Sequence, residues 1–209
     1  WSGLSRDMIC YCDNCARKFR DTAGQALPRK HDWDNPVFRR WIEWNYARRV
    51  EIWDLNNRVT KAAGGADCLW IGMNSGSLAA QSRSFRDSKA IWERAEILML
   101  DHQARGAAGF EENADAGKLI HGVMGWDKLI PESMAMYHAG GRVSFRMAAK
   151  PAAEARLWMA EGFAGGLQPW WHHIAAYHED RRMYRTAEPM IASQAGLPAF
   201  SSCSIWSTR

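Results

Sequence analysis

The chain has 209 residues and an apolar content of 47%, which suits one globular domain with a sizeable core, or a large part of a bigger protein. Its 27 basic and 23 acidic side chains leave a net charge of only +4, without the basic stripe that nucleic-acid binding needs. No stretch reaches the apolar length of a membrane span, so we expect neither nucleic acid nor membrane as a partner.

Residues 1–32 are predicted to form a cysteine-rich loop and a short helix, which covers about residues 14–23. Cys10, Cys12 and Cys15 lie close enough in sequence to share one tetrahedral zinc ion, for which thiolates are good ligands. The chain has five cysteines, an odd number with one tight cluster, which argues against a disulfide scaffold. We therefore predict a structural Zn²⁺ site, with reduced free thiols as the alternative.

Residues 33–195 are predicted to form a long helix followed by β/α units, and residues 196–209 an irregular tail. The helix covers about residues 36–62, where apolar side chains recur at helical spacing, and Asp32 or Asp34 is its predicted cap. Short apolar runs follow it, at residues 68–74, 97–103, 129–137 and 163–173. Helical patterns follow these runs, at residues 82–94, 113–123, 148–163 and 180–193. Strands that alternate with helices in this way predict a parallel sheet.

The carboxyl ends of the predicted strands carry side chains suited to holding a sugar. Open α/β sheets and β/α barrels bind their ligands at this edge, where tryptophan rings can stack on a pyranose and polar groups can bind its hydroxyls. The predicted substrate-binding residues are Asn74, Asp101, Gln103, Trp170, Trp171, His172 and His173. The alternatives are that Asn74 and Asp101 belong to turns or caps, and that the tryptophans pack helices against the sheet.

Several motifs resemble a segment of family 42 glycoside hydrolases (β-galactosidase-like) and of their uncharacterised relatives. The residues that carry the resemblance are 10–15 (Cys-Tyr-Cys-Asp-Asn-Cys), 17–20 (Arg-Lys-Phe-Arg), Gly24, 27–28 (Leu-Pro) and the aromatic helix around 41–44. In that family this segment follows the fourth strand of an eight-stranded barrel. The resemblance implies that the chain is the C-terminal half of a TIM (β/α)8 barrel, with strands five to eight.

The resemblance also implies a catalytic residue. That clan places an acid/base carboxylate at the end of strand four and a nucleophilic glutamate at the end of strand seven, a position that Glu132 occupies here. Retaining glycosidases hold these two carboxyl groups about 5 Å apart. The resemblance therefore implies a retaining glycoside hydrolase that acts on a carbohydrate. A glutamate in a salt bridge or a helix cap is the alternative for Glu132.

Strand four of such a barrel would precede Trp1, so we expect the acid/base residue to lie outside this sequence and the isolated chain to have little activity. A half barrel exposes two sheet edges, so we expect it to pair with a missing N-terminal half or with a second copy. In the family a further cysteine ligand of the metal comes from upstream of this segment. We expect His31 or water to take its place here.

The alternative function is a non-catalytic carbohydrate-binding protein, or a zinc-stabilised interaction protein, that has kept the barrel-derived fold. A nucleotide-dependent α/β enzyme is a third interpretation. It is disfavoured because no glycine-rich phosphate loop follows any of the predicted strands.

Overall fold

A computed structural model describes residues 5–74, 78–101, 109–135, 137–138, 145–149, 151–172, 185–186, 188 and 192, with the backbone alone for 132–135, 137–138, 145–149, 169 and 171–172. The helices are α1 (Asp13–Ala23), α2 (Pro36–Gly64), α3 (Leu78–Arg83), α4 (Ser88–Arg94), α5 (Glu111–Met124) and α6 (Ala152–Ala164). The strands are β1 (Met73–Asn74), β2 (Met99–Leu100), β3 (Pro131–Ala135), β4 (Tyr137–His138), β5 (Phe145–Ala149) and β6 (Gln168–His172). Within these described ranges no helix is both long and apolar enough to cross a membrane.

The chain divides into two compact units. The first comprises Trp1–Leu100 and Ile120–Leu129, and the second comprises Asp101–Leu119 and Ile130–Arg209. The first unit holds α1 to α4 with β1 and β2, and the second holds α6 with β3 to β6. The predicted tail, residues 196–209, lies outside the described residues.

The long helix α2 begins where the sequence predicts it, but with a different cap. The side chain of Asn35 accepts a hydrogen bond of 2.8 Å from the backbone N–H of Val37. Pro36 is in the first turn of the helix, where a backbone N–H has no partner within the helix. The N–H that proline lacks therefore costs no hydrogen bond. Asn35 is therefore the cap, and the prediction of Asp32 or Asp34 was wrong.

An aromatic core joins α1 to α2 in the first unit. Phe19 of α1 packs edge-on against Trp44 of α2, with ring centroids 5.4 Å apart. Such pairs contribute about 0.5–1.5 kcal/mol beyond the burial of their area. The buried members of this core are Phe19, Phe38, Trp41, Ile42, Trp44 and Phe85. The core therefore anchors the N-terminal segment on α2.

The helix predicted over residues 82–94 is interrupted. It is replaced by α3 and α4, and the chain turns between them at Phe85, which has a φ of 55°. A left-handed residue cannot continue an α-helix, and for a bulky side chain this conformation is unusual. Asp87 then caps α4, because its carboxylate accepts a 3.0 Å hydrogen bond from the N–H of Ala90.

In each unit two of the described strands pair in parallel, and all four of these strands fall within the predicted apolar runs. In the first unit Met73 of β1 pairs with Met99 of β2. In the second unit β3 pairs with β6 over five residues, from Pro131 opposite Gln168 to Ala135 opposite His172. Parallel pairs also occur in open sheets, so the (β/α)8 barrel stays a prediction.

Two local predictions were wrong. Cys68 was expected within a strand but lies in the irregular connection between α2 and β1. The chain around residues 137–149 was expected to run from strand through loop into helix. It instead forms an antiparallel pair, in which Tyr137 of β4 lies opposite Ala149 of β5. The helix α6 consequently begins at Ala152.

The second unit contains a close approach between α5 and the turn after α6. The side-chain amide of Asn113 donates a 2.9 Å hydrogen bond to the carbonyl of Trp158, a fully buried residue of α6. A Cβ atom added to Gly117 of α5 would collide with the backbone carbonyl of Gly165. The glycine at 117 is therefore required by space, because the obstacle is backbone and cannot rotate away.

We expect Gly117→Ala to destabilise the protein by about 1–3 kcal/mol, the usual range for overpacking, despite the better helix propensity of alanine. Gly122→Ala is the matched control on the same helix, since a Cβ atom there meets nothing within 4 Å. It should stabilise the helix by up to about 1 kcal/mol. Urea unfolding measures the free energy of unfolding of both variants. A Gly117→Ala variant as stable as the wild type would contradict the close packing at Gly117.

Candidate metal centre

Three thiols converge at the start of α1. The Sγ atoms of Cys10, Cys12 and Cys15 all lie within 4.8 Å of one another. Two sulfur ligands of one tetrahedral zinc ion are roughly 3.8 Å apart, because each Zn–S bond is about 2.3 Å long. The three side chains therefore lie close enough to hold one metal ion, and small side-chain rotations would complete the geometry.

The spacing of the cysteines explains the convergence. Cys12 is the extended residue directly before α1, and Cys15 lies in the first turn of the helix, so both flank the helix N-terminus. Cys10 precedes Cys12 by two residues, and in an extended segment this spacing returns a side chain to the same side. The partial positive charge of a helix N-terminus also favours thiolates over thiols.

The thiols of Cys12 and Cys15 interact with each other and with the thiol of Cys10, and the pKa values of Cys12 and Cys15 are shifted in opposite directions. The Cys12 side chain does not cap α1 through a hydrogen bond. The nearby backbone N–H of Cys15 nevertheless lowers the pKa of Cys12, and the thiols of Cys10 and Cys15 lower it further. Burial raises the pKa of Cys15 to about 12, and its hydrogen bonds to the other two thiols act in the same direction. A bound metal cation reverses this balance, because it deprotonates the thiols that coordinate it.

Neighbouring contacts fix the loop that carries the cluster. The hydroxyl of Tyr11, between Cys10 and Cys12, donates a 2.9 Å hydrogen bond to the carbonyl of Pro28. Cys10 and Cys12 are exposed, so solvent reaches the site.

His31 was the expected substitute for a fourth ligand, but its ring stacks over Trp41 with centroids 6.5 Å apart. Within the part of the chain that the structure describes, the ligand set is the three cysteines.

Asn74, a predicted sugar-binding residue, ends β1 but is only 2% exposed. Its side-chain nitrogen donates a 3.0 Å hydrogen bond to the carbonyl of Gly72, and its side-chain oxygen accepts one of 3.4 Å from Gln81. These contacts occupy both polar atoms of the amide inside the protein. Asp101 directly follows β2 and is half-buried. Sugar binding by either residue stays a prediction.

The proposed nucleophile and the tryptophan pair lie on neighbouring strands. Glu132 of β3 is opposite Pro169 of β6, and the next residue of β3 is opposite Trp170. Trp171 and His172 continue β6, and Trp170 is half-buried. Gln103 and His173 lie outside the described residues. The catalytic and binding roles stay predictions.

Two arginines of the first unit were not predicted from the sequence, the buried Arg49 and the half-buried Arg86. Arg49 of α2 is only 8% exposed. It follows Asn45 by four residues and precedes Trp53 by four, and both of these are buried as well. That spacing on one helix face is the signal that could have identified Arg49. Arg86, in the turn before α4, has no comparable local signal.

Comparison with known proteins adds no family to these observations. No protein-family model matches the chain, and neither a curated protein nor a solved structure is similar enough to count as a match. The resemblance of the motifs within residues 10–44 to family 42 glycoside hydrolases therefore stays a prediction. The function has to be inferred from the chain's own residues.

We expect Asn74→Ala to destabilise the protein by about 1–3 kcal/mol, because it removes two internal hydrogen bonds in a buried setting. Asn56→Ala is the control, since Asn56 makes a single 2.9 Å hydrogen bond to the carbonyl of Ile52 within α2 and is only half-buried. It should change stability by less than about 0.5 kcal/mol. Thermal or urea unfolding measures the stability of both variants. Equal effects of the two changes would contradict the contribution of the internal hydrogen bonds of Asn74.

Proposed function

We propose that the chain is a zinc-binding protein in which Cys10, Cys12 and Cys15 hold a structural Zn²⁺ ion. The observation that carries this proposal is the convergence of three sulfur atoms within 4.8 Å of one another at a helix N-terminus. Thiolates are preferred ligands of zinc, and tetrahedral geometry suits three of them with one further ligand. Water or a group from outside the described residues would take the fourth position.

The proposed ion would stabilise the N-terminal part of the first unit. Helix α1 has only 11 residues, and an isolated helix of that length is marginal in water. Its packing on α2 rests on few side chains, mainly Phe19. A metal that joins Cys10 and Cys12 to Cys15 ties the preceding extended segment to the helix. Its binding free energy would then contribute directly to folding.

We expect the wild-type chain to bind one equivalent of Zn²⁺ and to unfold at a higher temperature with zinc than after chelation. Each of Cys10→Ser, Cys12→Ser and Cys15→Ser should weaken zinc binding by more than roughly a hundredfold, since loss of an outer-shell partner alone costs 10–100-fold. Competition with a chromophoric chelator measures the affinity.

Cys68→Ser is the matched control for this experiment. The Cys68 thiol donates a 3.0 Å hydrogen bond to the carbonyl of Gly64 and is separate from the cluster. The Cys68→Ser variant should bind zinc as tightly as the wild type. A wild-type chain without stoichiometric zinc, or cluster variants that bind as tightly as Cys68→Ser, would refute the site.

We also propose that the protein is a retaining glycoside hydrolase with a carbohydrate substrate. Support comes from the parallel pairing of β3 with β6, which brings the strand of Glu132 beside the strand of Trp170 and Trp171. In this proposal Glu132 attacks the anomeric carbon to form a glycosyl-enzyme, and a second carboxyl group transfers the proton to the leaving oxygen. A non-catalytic carbohydrate-binding protein with the same strands is the competing proposal.

The remaining residues of the proposed sugar site would bind rather than react. A tryptophan ring stacks on the apolar face of a pyranose, and amide, carboxylate and imidazole groups hydrogen-bond its hydroxyls. These proposed binding residues are Asn74, Asp101, Gln103, Trp170, Trp171, His172 and His173.

If the protein is such a hydrolase, we expect Glu132→Gln to lower its hydrolysis of nitrophenyl glycosides by at least roughly a thousandfold, as loss of a nucleophile does in other enzymes. Sugar binding should be retained, because the amide keeps the shape of the side chain. Glu161→Gln, on α6 rather than on a strand, is the control and should leave turnover unchanged. Sugar binding without turnover in the wild type would favour the non-catalytic protein.

A further inference from the structure

Two arginines meet the turn between α3 and α4, and hydrogen bonds link one of them to Asn74 at the carboxyl end of β1. The Arg49 Nε atom donates a 3.1 Å hydrogen bond to the carbonyl of Ser84. The Arg86 Nη1 atom donates one of 3.3 Å to the Oε1 atom of Gln81, whose Nε2 atom in turn donates one of 3.4 Å to Asn74. We refer to Arg49, Arg86, Gln81 and Asn74 as the arginine network.

Both arginines meet the same turn in a partly desolvated setting, Arg49 through the carbonyl of Ser84 and Arg86 as a half-buried residue of the turn. Burial lowers the pKa of both guanidinium groups, and the charge of Arg86 lowers the pKa of Arg49 further. Both groups remain cationic, because an arginine does not deprotonate in proteins. Within the described part of the chain Arg86 forms no ion pair, and the carboxylate of the adjacent Asp87 is used to cap α4. Such an arrangement favours an anion.

The backbone that presents Arg86 is held in an unusual conformation. Phe85 has a φ of 55° and is fully buried, with its ring edge-on to Trp41 and to Tyr46. The hydroxyl of Tyr46 also donates a 3.1 Å hydrogen bond to the carbonyl of Ser82. A bulky residue keeps a left-handed conformation only where its surroundings enforce it, and such positions often accompany functional sites. The turn therefore fixes the position from which the Arg86 side chain starts.

We propose that Arg49 and Arg86 form a binding site for an oxyanion, either a free ion or the phosphate, sulfate or carboxylate group of a larger ligand. Planar guanidinium groups match the geometry of these oxyanions and bind them through paired hydrogen bonds. Through Asn74 the arginine network reaches the carboxyl end of a parallel strand, the edge at which α/β sheets bind ligands. Arg86 is only half-buried, which gives the ion a route to the pair. Gln81 is a positioning residue, because its side chain orients Arg86.

Calorimetric titration of the whole chain with inorganic phosphate, sulfate and acetate, at constant ionic strength in chloride, tests this site. We expect saturable binding of one oxyanion per chain. Arg86→Gln should weaken it by about tenfold or more, because a hydrogen bond to a charged group is lost together with its charge. Arg86→Lys, which keeps the charge but not the planar fork, should have an intermediate effect.

Arg58→Gln is the matched control, since Arg58 is an exposed arginine of the same helix as Arg49 and should be dispensable for binding. Circular dichroism and thermal unfolding check that each variant is folded, and Arg86→Lys decides the result if Arg86→Gln unfolds. Tightest binding of phosphate or sulfate identifies a tetrahedral anion, and tightest binding of acetate identifies a carboxylate ligand. No saturable binding of any of the three by the wild type, or equal affinities of the Arg86 variants and Arg58→Gln, would overturn the proposal.

Discussion

The packing of the Phe85 ring against α2 is the interaction on which much of the first unit depends. Trp41 and Tyr46, both on α2, meet this ring edge-on at centroid distances of 5.2 and 5.8 Å. The same helix also holds α1, through the contact between Phe19 and Trp44. The cysteine cluster at the start of α1 and the arginine network beside Phe85 are therefore both positioned by contacts with α2.

The balance of energies favours this packing over the strain in the turn. A non-glycine residue in the left-handed conformation costs roughly 1–2 kcal/mol. Removal of a buried phenylalanine ring typically costs about 3–5 kcal/mol, and edge-to-face contacts add about 0.5–1.5 kcal/mol each. Burial of Phe85 thus outweighs its backbone strain. The break between α3 and α4 at Phe85 is therefore one that the burial of its ring can sustain.

The sequence predicted the features of this protein that have local causes. Helices α1 and α2 and the strand positions follow from periodicity and turn residues within short windows. The cysteine cluster follows from the C-x-C-x-x-C spacing, and the structure confirms that Cys10, Cys12 and Cys15 lie close enough to hold a metal ion. The break at Phe85 depends instead on rings of α2 that are distant in sequence. No local pattern distinguishes such a residue from an ordinary helical phenylalanine.

The candidate sites also differ in how far the sequence predicts them, because some depend on local spacing and others on contacts between distant segments. Arg49 and Arg86 are brought together only when α2 packs beside the turn before α4, so neither stands out along the sequence. The antiparallel pair of β4 and β5 likewise depends on pairing across a connection, and the apolar pattern alone favoured a longer β3. For Glu132 the sequence supplied its strand, and the register places that strand beside Trp170.

The two sites of the first unit use the same helix through different contacts. The cysteine cluster depends on α2 through Phe19, which packs against Trp44. The arginine network depends on it through Phe85, and through the hydrogen bond of Arg49, itself a residue of α2, to the backbone of the turn. Phe19 and Phe85 belong to one aromatic core, which also contains Trp41 and Trp44. The two candidate sites therefore depend on the same core.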